Sequence, residues 1–186
     1  VAAKRGDIIL EVVLSIAGSD SCGGAGIQAD IRTFAMLDCY GMSVVTAVTA
    51  QNTCQVFGVH EIPIDILEQQ LDAVFTDIPP DAVKVGMLPS VECVELVARK
   101  LQQYNARNVV LDPVLDSITG HPLMPQQAAH TMMDKLYPLC DIITPNLHEA
   151  SLLCDFDVLE RPDMYTAAKH IAQSGNGYVL VTGGHL

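Results

Sequence analysis

The stretch VVLSIAGSDSCGGAGIQAD, from Val12 to Asp30, decides the fold. Its first part, Val12–Ala17, is an apolar, β-branched run that reads as a buried strand. Further on, Ile27, Ile31 and Phe34 fall at i, i+4 and i+7, one face of a helix that starts near Ala25. Gly18, Gly23, Gly24 and Gly26 mark the connection between them. The same alternation recurs along the chain. It predicts strands over Met42–Thr49, Val56–Ile62, Ala82–Val85, Asn108–Leu111, Asp141–Thr144 and Tyr178–Val181. Helices are predicted from Asp65, after a Ser90 cap, over Gln126–Tyr137, around Leu147–Cys154 and over Pro162–Ser174. Repeated strand-then-helix units with apolar strands predict a three-layer α-β-α domain, a mostly parallel sheet with helices on both faces.

Composition agrees with one core-rich domain. The chain has 186 residues, 49% of them hydrophobic, and only 17% charged, against a typical charged share of about 25%. Ten Lys and Arg against 22 Asp and Glu give a formal net charge of −12. That balance argues against nucleic acid or an anionic membrane as partner, and a polyanionic substrate would need a divalent cation to screen it. No apolar run approaches the roughly 20 residues of a membrane span. Val1–Leu10 is interrupted by Asp7 and carries no cleavage pattern of a secretory leader; the first residue is not Met, which points to processing or trimming. Six cysteines without any C-x-x-C pair read as free thiols in a reducing cytoplasm, and zinc is not expected.

Parallel sheets bind ligands beyond the carboxyl ends of their strands. The residues following each predicted strand are Gly18-Ser19-Asp20, Gln51-Asn52-Thr53, Gly86-Met87, Asp112-Pro113, Thr144-Pro145-Asn146 with Glu149, and Thr182-Gly183-Gly184. Polar and glycine residues gathered at one sheet edge predict a cleft. The glycine loop is not a Walker loop, because Gly23 is followed by Gly24 and Ala25 rather than Lys and a hydroxyl residue. Gly24-Ala25-Gly26-Ile27-Gln28-Ala29 matches the loose dinucleotide pattern, but it does not directly follow a strand and the second strand ends in Gln51, not an acid. Two readings stay open: a turn that lets strand meet helix, or close backbone approach to a small ligand with N–H groups of the Ala25 turn available to it.

Ala17-Gly18-Ser19-Asp20 followed by Gly23-Gly24-Ala25-Gly26-Ile27-Gln28-Ala29-Asp30 resembles the opening motif of the hydroxymethylpyrimidine/phosphomethylpyrimidine kinases, members of the ribokinase-like superfamily. The resemblance continues in order through Ala50-Gln51-Asn52-Thr53, Lys84-Val85-Gly86-Met87-Leu88, Val110-Leu111-Asp112-Pro113-Val114, Thr144-Pro145-Asn146-Leu147-His148-Glu149 and Gly183-Gly184-His185. It implies an ATP-dependent phosphotransfer to the hydroxymethyl group of a pyrimidine of thiamine biosynthesis, in the cytoplasm, by a homodimer. A pyridoxine or pyridoxal kinase is the alternative, since the two substrates are similar flat rings, and a non-catalytic pyrimidine-binding module is a third reading.

By that resemblance Asp20, Ala25, Gln51, Met87 and Val114 bind the pyrimidine. A glutamine amide offers both a donor and an acceptor to an aminopyrimidine edge, and a flat ring needs apolar walls. Two positions before Gln51 the family carries a small apolar residue where this chain has Thr49, which adds a hydroxyl to the wall. Asp112, Asn146, Thr182 and Gly184 are implied for ATP, and Asp112 with Glu149 for Mg2+. Asn146 and Glu149 also fit a capping box, and the two roles are compatible. Asp112 reads alternatively as a solvated turn residue. Two family lysines are replaced here by Ile118 and Thr182, so phosphate neutralisation would rest on Mg2+ and backbone N–H groups. His148 and His185 show no partner in the sequence, and nothing around Cys22 marks it as catalytic.

The resemblance further implies a Gly-Thr-Gly-Cys-like turn holding the anion hole and the base. No Gly-x-Gly-Cys or Gly-x-Gly-Asp occurs in the 186 residues. The expectation is therefore that both lie beyond Leu186 and that no catalytic residue falls within the chain. It reads as a single ribokinase-like domain over 1–186, incomplete at its C-terminus, with apolar sheet surface left exposed.

Overall fold

The β-branched runs become strands and the 3.6-residue patterns become helices. The computed structural model describes residues 4–5, 8–116 and 123–183. A small antiparallel pair, β1 (Lys4–Arg5) and β2 (Ile8–Ile9), precedes β3 (Val12–Asp20), α1 (Gly26–Met36), β4 (Tyr40–Gln51) and β5 (Val56–Glu61). Then come α2 (Ile64–Asp77), β6 (Ala82–Val85), α3 (Val91–Gln103), β7 (Val109–Leu111) and α4 (Gln126–Thr131). The described regular structure closes with β8 (Ile142–Ile143), α5 (Leu147–Cys154), α6 (Arg161–Ile171) and β9 (Tyr178–Val179).

Strands β3 to β9 form one sheet in the order β5-β4-β3-β6-β7-β8-β9. Every neighbouring pair is parallel except β4–β5, which is an antiparallel hairpin at the sheet edge. The connection Asn52–Gln55 is too short for the crossover that a parallel partner requires. The chain leaves β3 toward β4 and then returns to pair β6 on the opposite side of β3. This reversal puts a crevice beyond the carboxyl ends of β3 and β6.

Register fixes what each face carries, because successive side chains alternate. Ile16, Val85, Leu111 and Ile143 share one row, all fully buried. They pack beneath Leu67 and Leu71 of α2, Val94 and Val97 of α3, and Ile171 of α6. The adjacent row is Ser15, Lys84, Val110, Ile142 and Tyr178, on the opposite face. Here α1 packs: Asp30 accepts from Ser15 Oγ at 2.6 Å, and Gly41 leaves room for Ile31 and Phe34. Toward β9 the same face exposes apolar surface, with Tyr178 81% and Leu180 54% accessible.

Two local expectations change. The helix read over Gln126–Tyr137 is α4, then a π-helical turn Met132–Leu136, then a 3-10 turn Tyr137–Leu139. Pro138 lacks an N–H and its ring displaces the carbonyl four residues back, so α-helical pairing cannot continue through it. Ser90 stands at the N-cap of α3 in extended conformation, but its side chain makes no capping hydrogen bond.

Candidate active site

The glycine loop is built around a buried carboxylate. Asp20 closes β3 and is 5% exposed. Its two oxygens accept from the backbone N–H groups of Cys22 at 2.8 Å and of Gly24 and Ala25 at 2.9 Å. Gln28, one turn into α1, accepts from Asp20 N–H at 2.9 Å and donates to Ser19 Oγ at 2.7 Å. Gly23 and Gly26 hold φ of +75° and +58°, which L side chains rarely adopt. The N–H groups of Gly24 and Ala25 are therefore taken by Asp20, which leaves the reading of a ligand on the N–H groups of the Ala25 turn without these two donors. The loop approaches the crevice with its backbone edge, and Asp20 acts on the site by holding the loop.

The five residues expected at the pyrimidine, Asp20, Ala25, Gln51, Met87 and Val114, all line one cavity of about 250 Å³. That is just below the usual span for small-molecule sites, roughly 300–1,000 Å³, and suits a single ring. Met87 is 6% exposed and forms an apolar wall with Ala17, Val114 and Leu123. Thr46 Oγ1 donates to the Met87 carbonyl at 2.7 Å and fixes the strand end. A Cβ at Gly18 would stand 3.0 Å from Met87 Sδ, so glycine there seats the methionine. Gln51 is pinned through its backbone: its N–H donates to Ser21 Oγ at 3.1 Å, and Ser21 Oγ donates to its carbonyl at 2.8 Å. A larger open groove, about 990 Å³, lies between α4 and α5–α6 and, among the described residues, shares Asp116 alone with this cavity.

Asp112 also lines the cavity, its side chain 37% accessible. It is tied to a residue that sequence reading left without a role. Lys84 Nζ stands 3.3 Å from Asp112 Oδ2 and 3.3 Å from Asp30 Oδ2, so one ammonium bridges the floor of the crevice to α1. The signal was present: Lys84 alternates with Val83 and Val85 on a central strand, and a charge buried there must be paired. Lys84 thus places one positive charge among the residues that line the cavity.

Asn146 and Glu149 form the capping box of α5. Asn146 Oδ1 accepts from Glu149 N–H at 2.9 Å, and Glu149 Oε2 accepts from Asn146 N–H at 2.8 Å. Asn146 also bridges in parallel to Thr182, whose N–H donates to Pro145 O at 2.8 Å. The residues expected at the nucleotide, Asp112, Asn146 and Thr182, thus share the carboxyl edge. Gly184 lies outside the described residues, as do Ile118, His185 and Leu186. The expectation of an anion-hole turn and base beyond Leu186 likewise falls outside the described residues. His148, read as unpartnered, has Nε2 2.9 Å from Asp116 Oδ2.

Glu149 is 5% exposed. Burial pushes its carboxyl from 4.5 up to about 7; the Asn146 N–H opposes this, and the charge of Asp112 adds to it. Below pH 4.5 the group is protonated folded and unfolded alike. As pH rises from there to about 7 the unfolded chain ionises first, so stability is lost through that window and levels off above it. A shift of this size is worth about 3 kcal/mol. Without divalent cations, Glu149→Gln is expected to gain on wild type by about that amount between pH 4.5 and 8, read from urea midpoints. A difference that stays flat with pH would show that Glu149 carries no burial penalty.

A strand-end crevice at the topological switch point of a mostly parallel sheet, lined by apolar residues together with Gln51, Asp20, Thr49, Lys84 and Asp112, defines a ligand-binding α/β protein. Residues 20–186 match the family model of phosphomethylpyrimidine kinase, and the chain belongs to that family. It is 46% identical over 172 residues to the hydroxymethylpyrimidine/phosphomethylpyrimidine kinase of Bacillus subtilis, covering 92% of this chain and 64% of that one. The crystal structure of phosphomethylpyrimidine kinase from Clostridium difficile superposes with a TM-score of 0.87 at 45% identity, over 95% of this chain and 76% of the other. Pyridoxal kinase from Staphylococcus aureus in complex with pyridoxal gives 0.85 at 36% identity, over 94% and 65%. The chain spans 64% of the length of the Bacillus relative.

Proposed function

We propose that this chain binds 4-amino-5-hydroxymethyl-2-methylpyrimidine and ATP, and supplies those two sites to a kinase that phosphorylates the hydroxymethyl group and then the monophosphate. The observation that carries the reading is the convergence of Asp20, Ala25, Gln51, Met87 and Val114 on one ring-sized cavity that Asp112 also lines. Met87 and Val114 give the ring an apolar wall, Gln51 reads its polar edge, and Asp20 keeps the glycine loop against it. Asp112 and Glu149, two hard carboxylates that follow β7 and β8 at the carboxyl edge of the sheet, would hold Mg2+ through its waters. When bound, the ion neutralises charge on the nucleotide phosphates. Asn146 and Thr182 flank the nucleotide, with Gly184 the third residue of that group. Six free thiols, three of them buried, suit a reducing cytoplasm, and among the described residues no helix is long and apolar enough to cross a membrane. A homodimer is the assembly proposed, checked by light scattering.

Gln51→Ala is expected to weaken pyrimidine binding by about 1–3 kcal/mol, because a desolvated polar edge of the ligand loses its partner. Calorimetry on the two proteins decides it, and equal affinities would remove Gln51 from the site. The resemblance to a pyridoxal-bound structure supports a second reading, a pyridoxal kinase. Tighter binding of pyridoxal than of the pyrimidine would favour it. Tight pyrimidine binding with no Mg2+–ATP binding would favour a non-catalytic module.

A further inference from the structure

Thr49 Oγ1 is 3.0 Å from the Ser19 carbonyl oxygen and 3.2 Å from the side-chain oxygen of Gln51. A hydroxyl has one proton. The Ser19 carbonyl only accepts, so with the Gln51 oxygen also facing Thr49 two acceptors compete for that proton. One of them is left against a lone pair, at a site where Thr49 is 5% exposed. A glutamine amide has nearly the same shape after a half-turn about its last bond. Turned over, its NH2 donates to Thr49 Oγ1, which donates to Ser19 O, and each group has a partner. The backbone of Gln51 is already clamped by Ser21, so this half-turn is the freedom that matters.

Resting on the pyrimidine reading above, we infer that Thr49 is a specificity-positioning residue: it holds the Gln51 amide with its carbonyl oxygen toward the ligand, so that the pocket selects a ring bearing an N–H donor over one bearing an acceptor at the same place. A ligand with a carbonyl there would need the amide turned back, which restores the clash of acceptors at Thr49. Thr49 therefore acts on selectivity through its neighbour Gln51.

The test is calorimetric, on the 186-residue chain, with 4-amino-5-hydroxymethyl-2-methylpyrimidine and its 4-oxo counterpart. Wild type is expected to favour the amino compound. Thr49→Val keeps the shape and removes the hydroxyl; the amide then turns to suit either ligand, and the amino-to-oxo affinity ratio is expected to fall about three- to tenfold. Thr49→Ser restores the hydroxyl and is expected to restore the ratio. Any unfolding or loosening caused by the exposed Ser19 carbonyl affects both ligands alike and leaves the ratio unmoved. A Thr49→Val ratio equal to wild type, with the amino compound still bound, overturns this inference and leaves the pyrimidine reading standing. Wild type that binds neither compound overturns both.

Discussion

Given the pyrimidine, Mg2+ and ATP, the 186 residues alone are expected to release ADP at least about a hundredfold more slowly than the full-length Bacillus subtilis relative. Donors aimed at the charge that develops on a transferring phosphoryl group must be free and preorganised. The sequence has two Gly-x-Gly runs, and neither is followed by Cys or Asp. The first, Gly24-Ala25-Gly26, has two of its N–H groups bonded to Asp20. The second, Gly175-Asn176-Gly177, is packed into the fold: any side chain at Gly175 would strike the Tyr137 ring, and one at Gly177 would strike the backbone of Cys140 and Asp141. Neither turn is available as an anion hole. A coupled assay for pyrimidine-dependent ADP release checks this, and rates within a few fold of the relative would show that phosphoryl transfer here needs no such turn.

Gly26→Ala is expected to cost on the order of 3 kcal/mol or more and to abolish pyrimidine binding. Gly26 is the first residue of α1, at φ +58°, and its missing side chain is where the Gly18 carbonyl oxygen lies, with Asp20 N–H close behind. A methyl group must therefore adopt a strained conformation and also push helix and strand apart. The displaced loop would carry Ala25 and the Asp20 cradle out of the cavity wall. Gly58→Ala is the control, since among the described residues nothing lies within 4 Å of its Cβ position; it is expected to change stability by less than about 1 kcal/mol. Urea unfolding of the three proteins reads both effects, and a folded, ligand-binding Gly26→Ala would mean that the loop is not packed as described.

Much of this is legible in the sequence. The strand-then-helix alternation gives the layers, and the strand-end residues give the cleft, because both follow from periodicity and from where a parallel sheet leaves its carboxyl ends. The antiparallel β5 is harder, since Val56–Glu61 looks like any apolar strand and only its short link to β4 tells its direction. The broken end of the helix after Thr131 is signalled by Pro138, which periodicity alone overrides. Lys84 escapes notice because it sits inside a motif read for its neighbours Gly86 and Met87; its pairing with both Asp30 and Asp112 is a product of the register between β6 and β7 and of where α1 packs on the sheet. Asp20 and Thr49 do line the cavity. What they do there depends on which hydrogen-bond partners their few polar atoms have already taken, and that is written in distances, not in spacing.

The walls of the cavity come from the ends of β3, β4, β6 and β7, so its parts are brought together only when strands from both sides of β3 are in place. The β3-α1-β4 unit alone can hold Asp20 and Gln51 but not Met87, Val114 or Asp112. Ligand therefore has no grip on early, partly paired species along the folding route and meets its site only in the finished sheet. It acts as a brake on unfolding and leaves the folding rate unchanged, with a stabilisation of about 2.7 kcal/mol once it is present at a hundred times its dissociation constant.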